Sequence, residues 1–203
     1  MTFRVFGIRV KVSFLFMALV TTFMVIDSSK YMLLGLSSAL IHEIGHIIAM
    51  ILVGSKPAKV EFNLFDIDIK DNNRNNRNYK NDVFILLCGS ITNFLTALFL
   101  WILYYVFKDR SILMLISENL ILGFFNILPI ESLDGGQILY IFLSNKIQND
   151  KAIVFLEVIS FIILLPLAVV GFYMLLKSKY NFSLLLISCY LISVILIKKG
   201  RIF

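Results

Sequence analysis

The segment SALIHEIGHIIAM, residues 38–50, sets His42, Glu43 and His46 in an otherwise apolar run, and the chain has no other histidine. In a segment greasy enough to lie in lipid, each ionisable side chain costs roughly 2.5 kcal/mol or more. On a helix, residues four apart share a face, so both imidazoles project the same way. The pattern is HExxH, in which two histidines of one helical face hold a zinc ion and the glutamate accepts a proton from activated water. The bland alternative is a pair of satisfied core histidines. It leaves the glutamate directly after the first histidine unexplained.

The surrounding composition makes the bilayer the expected solvent. Of 203 residues, 59% are hydrophobic, and the mean hydropathy is +0.89, well beyond the usual balance of a globular chain. A formal charge of +6 could point to nucleic acid. The basic residues, however, lie between apolar runs and form no stripe, as expected of charges that set membrane orientation. Cys88 and Cys189 fall inside apolar runs and read as small buried residues without a disulfide framework.

Six apolar runs, near 12–26, 31–53, 83–106, 111–130, 152–176 and 182–197, predict an all-α polytopic membrane protein of about six spans. Three basic residues precede the first run, but no small-residue cleavage pattern follows it, which predicts an uncleaved first span. With the N-terminus inside, fourteen Lys and Arg fall on the cytoplasmic side and five outside. Both termini are therefore expected in the cytoplasm, most simply at a bacterial cytoplasmic membrane. The chain reads as one integral-membrane domain over 1–203, with a catalytic core near 31–140. Between the second and third runs, KVEFNLFDIDIK alternates with period two and predicts a short strand or hairpin near 60–69 at the membrane surface. That segment could equally be a plain hairpin or an edge on which an extended substrate pairs. The following DNNRNNRNYKND reads as a solvated loop. Pro166 is expected to kink the fifth run.

A zinc site with two histidines needs a third protein ligand and an open position for water. The candidate carboxylates near apolar runs are Glu118, Glu131, Asp134 and Glu157. Asp134 stands out by its context, FNILPIESLDGGQILY, where Pro129 ends the fourth run and Gly135 and Gly136 free the backbone to turn sharply. With the second and fourth runs both crossing from outside to inside, the two pieces can meet.

HEIGH followed by NILPIESLDGG resembles the site-2 protease family of intramembrane zinc metalloproteases, and within it looks most like the stage IV sporulation protein FB branch, with neither a CBS nor a PDZ domain expected. The resemblance covers residues 31–140. It implies one zinc ion held by His42, His46 and Asp134, Glu43 as the catalytic glutamate, and Asn126 placing substrate or an oxyanion. CGSITN, residues 88–93, resembles a third family segment, with Ser90 where the family has proline. The implied substrate is a membrane-associated protein cleaved in or near a membrane segment, and in that branch a sporulation sigma-factor precursor. A membrane regulatory partner is implied as well, and no nucleic acid. Two other classes fit the same cluster: a metal-ion transporter and a non-catalytic membrane binding protein. The first would need sites along a route, and the second has no use for Glu43.

Overall fold

A computed structural model describes residues 2–5, 8–26, 31–55, 57–62, 67–71, 77–178 and 188–193. The chain divides into two compact units, Met1–Phe125 and Asn126–Phe203. In chain order the elements are β1 (Thr2–Val5), β2 (Ile8–Val12), α1 (Phe14–Ile26), α2 (Tyr31–Leu52), β3 (Pro57–Phe62), β4 (Ile67–Asp71), α3 (Tyr79–Phe107), α4 (Arg110–Ile127), α5 (Asp134–Ser144) and α6 (Asn149–Ser178).

In the first unit the four strands form one sheet in the order β1-β2-β3-β4. β1 and β2 pair antiparallel, β2 and β3 parallel, and β3 and β4 antiparallel. The N-terminal hairpin was legible only as basic lead-in; its alternation of Phe3, Val10 and Val12 with Arg4, Arg9 and Lys11 is that of a strand pair with one apolar face. Phe62 ties the sheet to α1, its ring centroid 5.5 Å from that of Phe16. Ser13 links the two elements: its N–H donates to the Phe62 carbonyl at 3.0 Å, and its hydroxyl oxygen caps α1 by accepting the Phe16 N–H.

The hairpin expected near 60–69 is present as β3 and β4, and the sheet limits where it could take a substrate strand. β3 has β2 on one side and β4 on the other, so residues 60–62 offer no free edge to a substrate. Only β4, on the outside of this hairpin, retains that capacity. Residues 63–66, where the alternation slips, lie outside the described residues.

Four helices among the described residues are long and apolar enough to cross a membrane: Leu33–Leu52, Tyr79–Phe107, Arg110–Ile127 and Asn149–Tyr173. Of the six expected spans, these four are the ones that the described residues contain at crossing length. α1 has 13 residues, short of the ~17 a crossing needs, and most of the 182–197 run lies outside the described residues. The outer faces of these helices suit lipid. On α3, Leu95, Leu98, Phe99, Trp101 and Ile102 are each about 60% exposed, while Ile85, Gly89, Ser90, Asn93 and Ala97 form the buried stripe. A bare apolar face of that size would drive aggregation in water; in hydrocarbon it is ordinary surface.

Local sequence explains the helix limits. Asn78 caps α3, and Asp82 in its first turn pairs with Arg77 at 2.9 Å. Lys108 ends α3 in the left-handed region at φ 52°, donating its N–H to the Tyr104 carbonyl. Asp109 then starts α4 by accepting the Ser111 N–H at 2.9 Å. In the second unit, α6 runs through Pro166 for 30 residues. Both cysteines are free thiols, and Cys189, expected to be buried, is exposed.

Candidate metal centre

α2 presents His42 and His46 on its buried face, 4% and 7% exposed. Their Nε2 atoms lie 3.1 Å apart, and the rings stand nearly perpendicular at 85°. Two nitrogens held at ~2.05 Å by one tetrahedral ion would be about 3.3 Å apart. The pair is therefore close to the separation a shared ion requires. His46 Nδ1 lies 2.8 Å from the Ile85 carbonyl oxygen on α3. A carbonyl only accepts, so Nδ1 carries the proton and Nε2 keeps its lone pair for a metal. The donor set and its orientation fit zinc.

The packing that brings α3 so close depends on glycine. A Cβ at Gly89 would stand 2.6 Å from His42 Nε2 and 2.6 Å from the His46 ring. The backbone of α3 thus forms one wall of the histidine site, as only a residue without a side chain permits. Gly45 on α2 serves the same interface, since a Cβ there would strike Thr92 and the Cys88 carbonyl. This is the close helix packing expected of it.

One turn before His42, a buried polar node joins three helices. Asn119 on α4 donates from Nδ2 to the Ser38 hydroxyl oxygen at 3.0 Å and to its own helix at Leu115 O, 2.8 Å. Ser38 in turn donates to Leu34 O at 3.1 Å. Asn93 on α3 directs Nδ2 to Ser38 O at 3.5 Å. Asn93 and Asn119 are both 0% exposed and Ser38 is 1% exposed. Sequence reasoning passed over Ser38 and Asn119. The available signal was Ser38 standing four residues before His42, hence on the same helical face.

Glu43, beside the first histidine, is half-buried. Glu118 sits elsewhere: its Oε2 approaches Gly35 at 3.8 Å from an ideal Cβ, two turns before His42 and therefore ~10 Å away along the axis.

The second unit contains the remaining predicted residues. Asn126 lies in the last turn of α4 and is half-buried. Asp134 is the first residue of α5, also half-buried, where a carboxylate suits the helix N-terminus. The loop before it folds tightly: Ile130 N–H bonds Leu128 O at 2.8 Å and Leu133 N–H bonds Ile130 O at 2.9 Å. This loop lies against the first turn of α5, where a Cβ on Gly135 would overlap the Ile127 carbonyl and one on Gly136 the Ile130 carbonyl. The two glycines after Asp134 are therefore steric requirements of the turn. Glu131 is 8% exposed, and its N–H donates to Ser160 Oγ at 2.9 Å, which ties the loop to α6. Glu157 on α6 is half-buried.

Fold and histidine pair define a helical membrane protein with an HExxH helix walled by glycine. Comparison with known proteins adds two findings. Peptidase family M50 matches residues 109–167, which include Asn126 and Asp134 but not the histidine helix. Among solved structures the fold is similar to that of "Site-2 Protease from Methanocaldococcus jannaschii", with a TM-score of 0.70 over 100% of this chain and 96% of that one. Identity is 22%, so this likeness concerns the fold. No curated protein matches the chain.

Proposed function

We propose that the chain is an intramembrane zinc metallopeptidase acting on a membrane-associated protein. The observation that carries this reading is the histidine pair, with Nε2 atoms 3.1 Å apart and His46 oriented by the Ile85 carbonyl. The match of Peptidase family M50 and the fold likeness to a site-2 protease support the same reading. This reading assigns His42, His46 and Asp134 as the metal's ligands, the set that the HEIGH and LDGG motifs imply. Two neutral imidazoles and one carboxylate form the donor set of a catalytic zinc, with a position left open.

When bound, zinc supplies Lewis-acid polarisation of the scissile carbonyl and acidifies water. The protein's own residues do the rest. His42 and His46 hold the metal in a site that α3 shields from lipid. Glu43 accepts a proton and returns it to the leaving amine. The side-chain amide of Asn126 donates to the oxygen on which negative charge develops. A helical substrate hides its amides, so it must be unwound first, and an extended segment can add to the outer edge of β4. With both termini cytoplasmic, water and substrate enter from the cytoplasmic side. The wording FNILPIESLDGG favours the stage IV sporulation protein FB branch, and with it a sigma-factor precursor as substrate.

The test is cleavage of a membrane-anchored substrate by the purified, reconstituted chain. Activity should vanish on chelation, return with zinc, and be absent in Glu43→Gln. Cleavage that survives chelation would refute the reading.

A further inference from the structure

The sheet register collects charge in a way the linear sequence does not show. Across all four strands, Arg4 pairs with Arg9, Arg9 with Lys59 and Lys59 with Lys70. One row of the sheet is thus four basic residues deep. The neighbouring row on the same face is Thr2, Lys11 and Glu61, and the row between them, on the opposite face, is Phe3, Val10 and Val60.

Like charges directly opposite each other in a sheet are destabilising, so the row needs counter-charge. Glu61 supplies part of it, bridging Lys59 at 2.7 Å and Lys11 at 3.3 Å. Arg4 and Arg9 are left: they face each other across the β1–β2 pair, both are exposed, and among the described residues neither makes an ion pair. Two guanidinium forks side by side suit phosphate oxygens, which accept them bidentately.

The position of the sheet points to the source of that phosphate. β2 runs into α1 through Ser13 alone, and the first turn of α1 bares Phe14 at 84% and Leu15 at 60%. α2 ends with Ile51 at 54% and Leu52 at 72% exposed, a few residues before β3. Apolar surface of that extent belongs in hydrocarbon, so the lipid boundary passes where both helices meet the sheet. Arg9 is five strand residues from Phe14, at most about 17 Å away, and long basic side chains reach back toward an interface.

We propose that Arg4 and Arg9 bind headgroup phosphates of anionic phospholipids, so that the basic row docks the sheet on a negatively charged leaflet. Basic clusters beside the cytoplasmic end of a membrane segment are suited to this attraction. The proposal does not depend on whether the histidine site hydrolyses peptides.

The test uses the full chain in nanodiscs of phosphatidylcholine, with and without roughly a third phosphatidylglycerol. The anionic lipid should raise the thermal unfolding midpoint by about 4–8 °C. The rise should disappear at about 0.5 M salt, where screening is nearly complete, and in the double variant Arg4→Gln/Arg9→Gln. In phosphatidylcholine alone that variant should unfold at or above the wild-type midpoint, because a repulsion has been removed. A lower midpoint there would mean that the arginines serve the fold itself, and would overturn the proposal. So would an undiminished rise in the variant, or no rise in wild type. An equal rise from inorganic phosphate or from soluble polyglutamate, without anionic lipid, would reassign the site to a free anion or an acidic protein segment.

Discussion

His46 donates its Nδ1 proton to the Ile85 carbonyl across 2.8 Å, a bond from α2 to α3 that sets the imidazole's tautomer and direction together. The carbonyl belongs to α3 four residues before Gly89, whose missing side chain leaves room for both rings. One helix therefore both aims His46 and walls in the two imidazoles. Orientation of this kind affects affinity, because a ligand already turned toward the metal loses little freedom on binding.

Gly89→Ala should consequently disturb the metal site more than the fold. The added methyl must displace two imidazoles, and zinc affinity should fall about tenfold or more. Chelator competition on purified protein measures this directly. Ile91→Ala, on the exposed face of the same helix, serves as the control and should bind zinc as wild type does. Equal affinity in both variants would show that the rings have room to spare.

The Ser38–Asn119 bond supports an ordered pair of variants. Asn119→Leu removes two donated hydrogen bonds but also an amide oxygen with no partner among the described residues, so its cost should be modest, about 1–2 kcal/mol. Asn119→Asp buries a carboxylate that can donate to neither acceptor, and should cost about 3 kcal/mol or more. Reversible unfolding in mixed micelles gives the comparison. If aspartate is tolerated as well as leucine, the node is wet and carries little energy.

Much of this architecture could be read from the chain because two periodicities are clean. His42 and His46 at a spacing of four had to share a helical face, and the runs 31–53 and 83–106 became α2 and α3 nearly as expected. The N-terminal hairpin was hidden because Arg4, Arg9 and Lys11 match equally the basic flank of a membrane span and the polar face of a strand pair. Only parallel pairing with β3, nearly fifty residues on, separates those readings. Gly89 and Asn119 were hidden for a related reason: their importance lies in what other helices bring against them. Asp134 was singled out from local context, and the steric need for Gly135 and Gly136 explains why that context is written as it is.

Membrane orientation gives a third prediction. With fourteen basic residues on one side of the expected topology and five on the other, the α5–α6 connection should be cytoplasmic and the α3–α4 turn external. Single cysteines replacing Lys146 and Lys108, both exposed, can be tested in a background with Cys88 and Cys189 changed to alanine. An impermeant thiol reagent applied to intact cells should label position 108 and spare 146. The reverse pattern would place the substrate entrance on the opposite face of the membrane.

The last prediction separates ligands from base. His42 and His46 already provide two nitrogens at a metal-compatible spacing, and one carboxylate completes a three-ligand site with an open position. Asp134→Ala should therefore lower zinc content and peptide cleavage together. Glu43→Gln should keep its zinc and lose cleavage by about 100-fold or more, because an amide cannot take up a proton at neutral pH. Metal content by mass spectrometry, read beside cleavage of a membrane-anchored substrate, distinguishes the two roles. Full zinc in Asp134→Ala would transfer the third-ligand role to another carboxylate, with Glu131, in the same loop, the first to examine. Cleavage that persists in Glu43→Gln would remove the general base from the mechanism, and with it the reason for a glutamate beside His42.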